Sequence, residues 1–296
     1  VADVPEIIVS NDEGIFGFGD TGSLVGMTNL VSNAGVVASD VSAVGTARSN
    51  LAATEYGGDK GIFGFGTTGS VVTLTNLVSN TGVVASDGAG AGTARSAFGA
   101  CRYGGDKGIF AFGNDGSNLN VSNLVSSTGV VASDQAATTG TARSNPVACE
   151  YGTDTGIFGY GYTGSNVSMT NLVSNTGVVS TDVTGVGTAR RQLAACGFGD
   201  DKGIFGFGYT GSGAYHGMTN IVSNTGVVAS DVAAVGTARL DMGATQYGGD
   251  KGIFGFGSNA SDVNDITNLV SNTGVVQSDV TGVGTARNKL KGCSFN

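Results

Sequence analysis

The chain is poor in several residue types that common protein classes need. Its 296 residues include no Trp, only two Pro, one His and four Cys. Charged residues make up 12% of the chain, about half of the roughly 25% found in soluble domains. Disorder requires low hydrophobicity and high charge, and the apolar content of 40% excludes it. The chain therefore folds, with a surface rich in Ser, Thr, Asn and Gly.

Basic residues and long apolar runs are also scarce. The 14 Lys and Arg face 23 Asp and Glu, which gives a net charge of −9. Because nucleic-acid binding depends on clustered Lys and Arg, we expect no nucleic-acid partner. No run reaches the ~18 apolar residues of a membrane-spanning helix, so we expect no membrane insertion. The chain begins at Val1 rather than Met, which indicates that it was trimmed, processed or recorded in part.

A repeat dominates what is present. Each copy contains an aromatic-glycine phrase, a β-branched run, a Val-Val-Ala phrase and a small-residue phrase, separated by turn residues. Alternation with a period of two and turns about every ten residues predict four short strands per copy. Gly-Ile-Phe opens the copies at intervals of 47, 47, 48, 47 and 49 residues, at Gly14, Gly61, Gly108, Gly156, Gly203 and Gly252.

Four-stranded units of this length are typical of β-propeller blades. We predict an all-β fold, with residues 1–296 as one six-bladed propeller of four antiparallel strands per blade. The blades begin near residues 14, 61, 108, 156, 203 and 252. The last copy ends in an inner-strand phrase, so we expect the C-terminal strand to join the first blade and close the ring. The alternative is that residues 7–10 supply that strand. The alternation also predicts that Phe63 and Phe65 lie on one face, opposite Gly64 and Gly66.

The order of phrases resembles the kelch-type propeller. The resemblance rests on Arg95, the small-residue run 97–103, the turn 104–107 and the strand 109–113. The chain departs from kelch repeats in having one Gly where a Gly pair is usual and in lacking the outer-strand Trp. The near-identity of the copies and their Ser, Thr, Asn and Gly content also resemble repeat proteins of bacteriophage and marine-virus particles. This resemblance implies a structural protein and favours a virion or extracellular location.

Two charged residues recur once per copy. We interpret them as structural, with each guanidinium satisfying a loop or an Asp carboxylate where blades meet. The alternative is a ring of six Arg that faces the channel mouth and binds an anion. The two sets are Arg48, Arg95, Arg143, Arg190, Arg239 and Arg287, and Asp40, Asp87, Asp134, Asp182, Asp231 and Asp279.

Sites of enzymatic chemistry are hard to assemble from this sequence. Cys101, Cys149, Cys196 and Cys293 share a repeat position that holds Thr in two other copies. Thr replaces neither a thiolate ligand nor a disulfide half, so we expect buried free thiols. Residues 64–69 fit the Gly-x-Gly-x-x-Gly pattern, but a strand rather than a helix follows. We therefore predict no catalytic residue, no metal site and no cofactor.

The positions at which the copies differ are the best indication of function. Variation concentrates after Gly-Ile-Phe-Gly-Phe-Gly and at the start of the inner strand, and loops on a rigid scaffold often carry binding residues. His216, the only histidine, lies in the irregular fifth copy as an exposed loop residue. The candidate binding residues are Tyr162, Thr163, Tyr209, Thr210, Tyr215 and His216.

Three functions follow in decreasing order of support. The first is a non-enzymatic structural or interaction protein whose partners are other subunits of an assembly, including copies of itself. As part of a virus particle it would serve as a decoration, spacer or fibre component. The second is a carbohydrate-binding lectin with shallow sites in inter-blade loops, for which glycans are the partners. The third is an enzyme with a site in the central channel, which the scarcity of His and exposed Cys disfavours.

Overall fold

The computed structural model describes residues 12–42, 44–135, 140–233 and 235–295. Within these ranges the chain forms nineteen β-strands and no helix, and the strands pair into six small antiparallel sheets. The all-β class predicted from the sequence is therefore confirmed. In chain order the strands are β1 (Glu13–Asp20), β2 (Leu24–Val31), β3 (Ala52–Tyr56), β4 (Lys60–Gly64), β5 (Leu74–Val78), β6 (Gly88–Ala89), β7 (Gly99–Tyr103), β8 (Lys107–Ala111), β9 (Ser122–Val125), β10 (Val147–Tyr151), β11 (Thr155–Tyr162), β12 (Asn166–Val173), β13 (Ala194–Phe198), β14 (Lys202–Gly211), β15 (Ala214–Val222), β16 (Gly243–Tyr247), β17 (Lys251–Gly255), β18 (Thr267–Val270) and β19 (Lys291–Phe295).

Every sheet has the Gly-Ile-Phe strand in a central position. On one side lies a strand of the small-residue phrase, and on the other lies the strand that ends in Asn-Leu-Val or Asn-Ile-Val. The sheets are β19-β1-β2, β3-β4-β5-β6, β7-β8-β9, β10-β11-β12, β13-β14-β15 and β16-β17-β18. We call β19, β3, β7, β10, β13 and β16 the first strands.

The C-terminal strand completes the sheet of the first repeat. β19 pairs with β1 in antiparallel register, from Glu13 opposite Phe295 to Gly17 opposite Lys291. The prediction that this strand joins the first repeat is confirmed. The alternative segment, residues 7–10, lies outside the described residues.

The fourth strand predicted for each repeat is a named strand in one sheet only, among the described residues. There β6 pairs with β5, whereas in the other sheets the corresponding segment makes isolated bridges, such as Val31 to Val37. Side chains hold this segment in place of a continuous ladder: Asn29 Nδ2 donates to the Ala38 carbonyl and to Asp40 Oδ1, both at 2.9 Å. Four strands per repeat is therefore wrong for five of the six sheets.

Hydrophobic clusters lie between neighbouring sheets, and they correct the predicted direction of two aromatic side chains. Phe63 packs against Phe18 of the preceding sheet, with ring centroids 5.2 Å apart. Phe65 packs against Phe110 of the following sheet, at 5.6 Å. The prediction that both rings lie on one face is wrong because Phe65 has a φ of +56°. This left-handed conformation reverses the side-chain direction after Gly64, as a β-bulge does.

The first strands contact one another in chain order, from β3 through β7, β10, β13 and β16 to β19, and β19 also contacts β3. Backbone hydrogen bonds link neighbouring sheets in the same order: Gly19 N donates to Arg48 O at 3.0 Å, and Gly257 N donates to Arg287 O at 2.9 Å. The residue two positions before each first strand has a φ between +52° and +59°. Where the bond is described, the backbone N–H of this residue donates to the carbonyl of the corresponding residue before a neighbouring first strand. The described bonds run from Asn50 to Lys289, Ala97 to Asn50, Asn145 to Ala97, Asp241 to Gln192 and Lys289 to Asp241.

A glycine in each sheet allows the preceding first strand to approach closely. A Cβ at Gly61 would lie 2.5 Å from Sγ of Cys293, and a Cβ at Gly108 would lie 2.6 Å from Cγ2 of Thr54. Cys and Thr therefore fill the same space in different sheets. The four cysteines are buried and free, as predicted. Burial raises the pKa of Cys196 to about 12 and raises the pKa of the other three thiols, so these thiols stay protonated and unreactive at neutral pH.

Candidate functional site

The six repeated arginines are fully buried between sheets. Arg48 Nε donates to the Phe65 carbonyl at 2.9 Å, and Nη2 donates to Asn76 Oδ1 at 2.6 Å. Its guanidinium carbon lies 4.1 Å from the centre of the Phe18 ring, and Nη1 lies 3.8 Å from Asp87 Oδ1. All six arginines have 0% exposure, so their guanidinium groups offer no surface to an anion at a channel mouth.

Each repeated aspartate accepts hydrogen bonds from a threonine of the preceding repeat and from an asparagine of its own repeat. Asp87 accepts from the Thr46 backbone N–H at 3.0 Å, from the Thr46 hydroxyl at 2.6 Å and from Asn76 Nδ2 at 3.0 Å. Burial alone would raise the pKa of Asp87, but these hydrogen bonds outweigh it and hold the pKa below its usual value. The same threonine-aspartate bonds occur at Asp134, Asp182, Asp231, Asp279 and Asp40. The last of these joins Thr285, near the C-terminus, to the first repeat.

Two of the six arginines lack part of this bonding. Arg95 Nε has no hydrogen-bond partner among the described residues, and neither has Oδ1 of Asn123. Phe98 stands where most repeats have an aliphatic residue, and the Arg95 guanidinium lies 5.1 Å from its ring and 5.0 Å from that of Phe65. Where the ring of Phe98 packs against Arg95, the hydrogen bond from the arginine to the asparagine, here Asn123, is absent. Arg143 Nη2 and Asn171 Oδ1 are unpartnered in the same sense.

The two variable segments of each repeat meet at one end of the sheets. The residue after the Gly-Phe-Gly, Ala-Phe-Gly or Gly-Tyr-Gly phrase is bridged to the segment before a first strand in every sheet. The bridges join Asp20 to Asn288, Thr67 to Ser49, Asn114 to Ser96, Tyr162 to Ser144, Tyr209 to Arg191 and Ser258 to Leu240. In each sheet the two variable segments therefore lie side by side at the same end of that sheet. We call these ends of the sheets the variable face.

On this face the candidate binding residues gather around an arginine that the sequence interpretation did not single out. The guanidinium of Arg191 lies 4.4 Å from the ring centre of Tyr162 and 5.5 Å from that of Tyr209. Tyr215 packs beside Tyr209, with centroids 5.4 Å apart. All four side chains are half-buried. We call Tyr162, Arg191, Tyr209 and Tyr215, with Thr163, Thr210 and His216 at their margin, the tyrosine patch.

Hydrogen bonds fix the margin of the tyrosine patch. His216 Nε2 lies 2.9 Å from the Thr210 hydroxyl, and the Tyr209 hydroxyl accepts from Gly213 N at 3.0 Å. Burial and the charge of nearby Arg190 lower the pKa of His216. His216 is a half-buried residue of β15, not the exposed loop residue that we expected. Thr163 lies in the turn after Tyr162, where its N–H donates to Ser165 O at 3.0 Å.

A second group of polar residues lies where the first strands meet. The residue after the Cys or Thr of each first strand is Glu55, Arg102, Glu150, Gly197, Gln246 or Ser294. All of these except Ser294 line a cavity of about 40 Å³. Arg102 Nε donates to Glu150 Oε2 at 2.6 Å. Ser294 donates its hydroxyl to Glu55 Oε1 at 2.6 Å. This space holds one or a few waters rather than a substrate.

Burial raises the pKa of Glu55, and the negative charge of Glu150 raises it further. Arg102 and the hydrogen bonds from Ser294 oppose this increase without cancelling it. The pKa of Arg102 is raised, chiefly by the charge of Glu150. In this cluster Arg102 therefore pairs with Glu150, whereas the surroundings of Glu55 disfavour its charged form.

Sequence reasoning placed Arg191 in a variable segment without naming it as a binding residue, and it missed the Glu55-Arg102-Glu150 group, although a signal existed for both. Aligning the six copies shows Ser, Ser, Ser, Arg, Leu and Asn at the position of Arg191, and five residue types, with Glu in two copies, at the position of Glu55. Positions that vary while their neighbours stay constant are the ones that break the repeat's symmetry. Their proximity depends on contacts between sheets about 47 residues apart, which periodicity alone does not place in space.

Neither a family model nor a curated protein matches this chain. The described part of the chain contains no group of three or more His, Cys, Asp or Glu residues arranged to hold a metal ion. Over the same residues, no helix has the length and apolar character needed to cross a membrane.

Proposed function

We propose that the chain is a closed, kelch-like six-bladed β-propeller that serves as a non-enzymatic structural or interaction component of a larger assembly. Closure is supported by the contact of β19 with β3 and by the pairing of β19 with β1. It is also supported by Arg287, which donates to Asn29 Oδ1 at 2.6 Å in the first repeat, as Arg48 does to Asn76 in the second.

The observation that carries the assembly proposal is a set of six exposed valines at one repeat position. Each is held outward by a turn: in the first repeat Ser32 N donates to Val36 O at 3.0 Å, and the Ser32 hydroxyl accepts from Val36 N at 3.2 Å. The six valines are 60–65% exposed, and they are Val36, Val83, Val130, Val178, Val227 and Val275. Single exposed apolar residues are common, but these six are more exposed than any other large hydrophobic residue among those described, which favours this position as a contact surface.

These valines lie at the end of the sheets opposite the tyrosine patch. A Cβ at Gly35, next to Val36, would lie 2.8 Å from the ring of Tyr247, at the end of the preceding first strand. Burial of each exposed valine against a partner stabilises the contact by about 1 kcal/mol. A repetitive partner, such as another copy of the chain, would engage several valines at once. The Ser-, Thr- and Asn-rich repeat style supports a virus particle as the assembly.

The test measures mass in solution by light scattering over a hundredfold concentration range. The first variant has four valines of the set changed to Thr: Val36, Val178, Val227 and Val275. The control variant has four other valines of the same repeats changed to Thr: Val41, Val183, Val232 and Val280. The control valines are also exposed, at 46–50%. We expect the wild type and the control to associate and the first variant to associate at least tenfold more weakly. A strict monomer that binds a soluble ligand tightly would overturn the proposal.

Carbohydrate binding is a second candidate, favoured by the tyrosine patch. Three half-buried tyrosines with threonine hydroxyls at their margin combine apolar ring faces with polar tips, as contact surfaces do. The patch lies on the variable face, so its binding is independent of the valine surface. A glycan screen with the wild type and with Tyr162→Ala tests carbohydrate binding at the patch. If the wild type binds no saccharide in the screen, the carbohydrate function is refuted.

A further inference from the structure

Arg191 differs in setting from the other arginines of the chain. Six arginines are enclosed between sheets, and Arg102 is bonded to Glu150. Arg191 is half-buried on the variable face. No described carboxylate lies within 4.0 Å of its guanidinium, and no described acceptor takes a hydrogen bond from it. In a protein of net charge −9, a guanidinium without a carboxylate partner is conspicuous.

The side chain is nevertheless held in place. The backbone of Arg191 makes two hydrogen bonds with that of Tyr209, at 2.9 and 3.0 Å. The rings of Tyr162 and Tyr209 contact the guanidinium at 4.4 and 5.5 Å. Stacking on aromatic rings uses the flat faces of a guanidinium and leaves its N–H edge available for an acceptor.

Nearby charges do not neutralise this arginine. Asp241 is the carboxylate whose pKa responds to Arg191, but it accepts a hydrogen bond from Gln192 Nε2 at 2.9 Å and is influenced more strongly by Lys291. Lys289, on the same face, is paired with Asp20 at 3.2 Å. Arg191 is therefore a cation of this face whose hydrogen-bonding edge is open among the described residues.

A buried amide group borders the tyrosine patch. Asn166 is opposite Tyr162 in the strand pair and donates Nδ2 to the Thr210 carbonyl at 2.7 Å. Its Oδ1 is buried and has no hydrogen-bond partner among the described residues. Because this oxygen is enclosed by the protein, the polar group that the patch offers to a ligand is the N–H edge of Arg191. An open donor edge beside tyrosine rings matches a ligand that carries a carboxylate and an apolar face.

We infer that the tyrosine patch binds an acidic saccharide, with the guanidinium of Arg191 taking the sugar carboxylate in a two-point hydrogen bond. This inference rests on the proposed carbohydrate binding and names its ligand class. A planar guanidinium matches a carboxylate in geometry better than an ammonium does. The tyrosine rings then contact the apolar face of the sugar, and Thr163 and Thr210 face its hydroxyls.

The test compares glucuronic acid with glucose, and acetate serves as the free carboxylate, by NMR titration of the wild type. Arg191→Gln removes the charge, and Arg191→Lys keeps the charge but removes the planar edge. Lys202→Gln is the matched control, because it makes the same charge change at a lysine paired with Asp201. Thermal unfolding of each variant establishes that it is folded.

We expect glucuronic acid to bind more tightly than glucose, and Arg191→Gln to weaken that binding about tenfold or more. Arg191→Lys should recover only part of the loss, whereas glucose binding and Lys202→Gln should be unaffected. Equal binding of glucose and glucuronic acid, unchanged in Arg191→Gln, would overturn the inference and leave carbohydrate binding intact. Acetate bound as tightly as glucuronic acid would also overturn it, because the site would then recognise any carboxylate. If neither sugar binds, both the inference and the carbohydrate function fail.

Discussion

Ser294 donates both its backbone N–H and its hydroxyl to one oxygen of Glu55, Oε1, at 3.2 and 2.6 Å. The two residues are 239 positions apart in the chain. Ser294 belongs to the last strand, which pairs with the first repeat, and Glu55 belongs to the first strand of the second sheet. The contact is thus one of the points at which the C-terminal strand is held between two sheets, and it involves a carboxyl group with a raised pKa.

This contact predicts an unusual dependence of stability on pH. Because burial and Glu150 raise the pKa of Glu55, the folded state holds the Glu55 proton more tightly than the unfolded state does. Its contribution to stability is therefore present below the unfolded pKa of about 4.3 and is lost as the pH rises through the folded pKa. Glu55→Gln keeps an amide oxygen to accept from Ser294 and removes this loss.

We expect Glu55→Gln to unfold at a higher temperature than the wild type at pH 8 and at a similar temperature at pH 4. Thermal unfolding monitored by circular dichroism between pH 4 and 8 provides the measurement. Glu13→Gln, at the start of β1, serves as the control for a change of charge alone. A variant that is less stable than the wild type by the same margin throughout this range would contradict the prediction.

The repeated aspartates give the opposite dependence. Hydrogen bonds hold the pKa of Asp87 below its usual value against the effect of burial, so its stabilisation is present above the unfolded pKa of about 3.9. It is lost as the pH falls through the folded pKa. In Asp87→Asn one of the two carboxylate oxygens becomes an NH2 group, which cannot accept a hydrogen bond from Thr46. We expect this variant to lower the free energy of unfolding by about 1–3 kcal/mol at pH 7.

The difference between Asp87→Asn and the wild type should shrink towards zero near pH 2. Urea unfolding at pH 7, 4 and 2 measures it, and Asp262→Asn, on an exposed turn, is the control that should change stability by less than about 0.5 kcal/mol. A destabilisation that persists unchanged at pH 2 would mean that steric fit rather than the carboxylate charge stabilises this junction.

The repeat made the all-β class and three of the four strands predicted for each copy identifiable, because the Gly-Ile-Phe phrase and its turns carry local signals that need no tertiary context. The fourth predicted strand forms in one sheet only, among the described residues. The pairing of the C-terminal strand followed from an incomplete last copy. Local signals failed where the backbone departs from its ordinary region. Alternation assumes extended residues, and the positive φ of Phe65 turns its ring to the opposite face from the one expected.

The tyrosine patch shows the other limit of sequence reasoning. Tyr162 and Tyr209 were identifiable as positions of variation. That Arg191 lies between them was not, because it depends on the bridge that places Arg191, just before β13, beside Tyr209 of β14. Likewise, Glu55 and Ser294 meet through packing between sheets. Contacts of this kind depend on how sheets are arranged, which a one-dimensional pattern does not encode.

The unequal bonding of the buried arginines predicts unequal costs of removing them. Arg48 donates to Phe65 O and to Asn76 Oδ1, and Arg48→Met would leave both acceptors buried and unpaired. At Arg95, Nε and Asn123 Oδ1 already lack partners among the described residues. We therefore expect Arg48→Met to be more destabilising than Arg95→Met by about 1–3 kcal/mol. Urea unfolding of the two variants, with equal slopes as the check on two-state behaviour, measures the difference, and equal losses would refute this account.

The close approach of Gly61 to Cys293 predicts a mutual rescue that tests the packing of the C-terminal strand in solution. A Cβ at residue 61 would lie 2.5 Å from Sγ of Cys293 but 3.6 Å from its Cβ. Gly61→Ala should therefore be strongly destabilising, because two packed strands have to separate. Cys293→Ala removes the sulfur and should cost less.

In the double variant the two methyl groups are at an ordinary van der Waals distance, so we expect it to be more stable than Gly61→Ala alone. A double-mutant cycle from urea unfolding should give a favourable coupling of about 1 kcal/mol or more. The pair Gly108→Ala with Cys293→Ala is the control, since Gly108 faces Thr54 instead and should show no coupling to residue 293. If Gly61→Ala and Cys293→Ala are also strictly additive, β19 does not pack against the second sheet in solution, and the proposed closure of the ring is refuted with it.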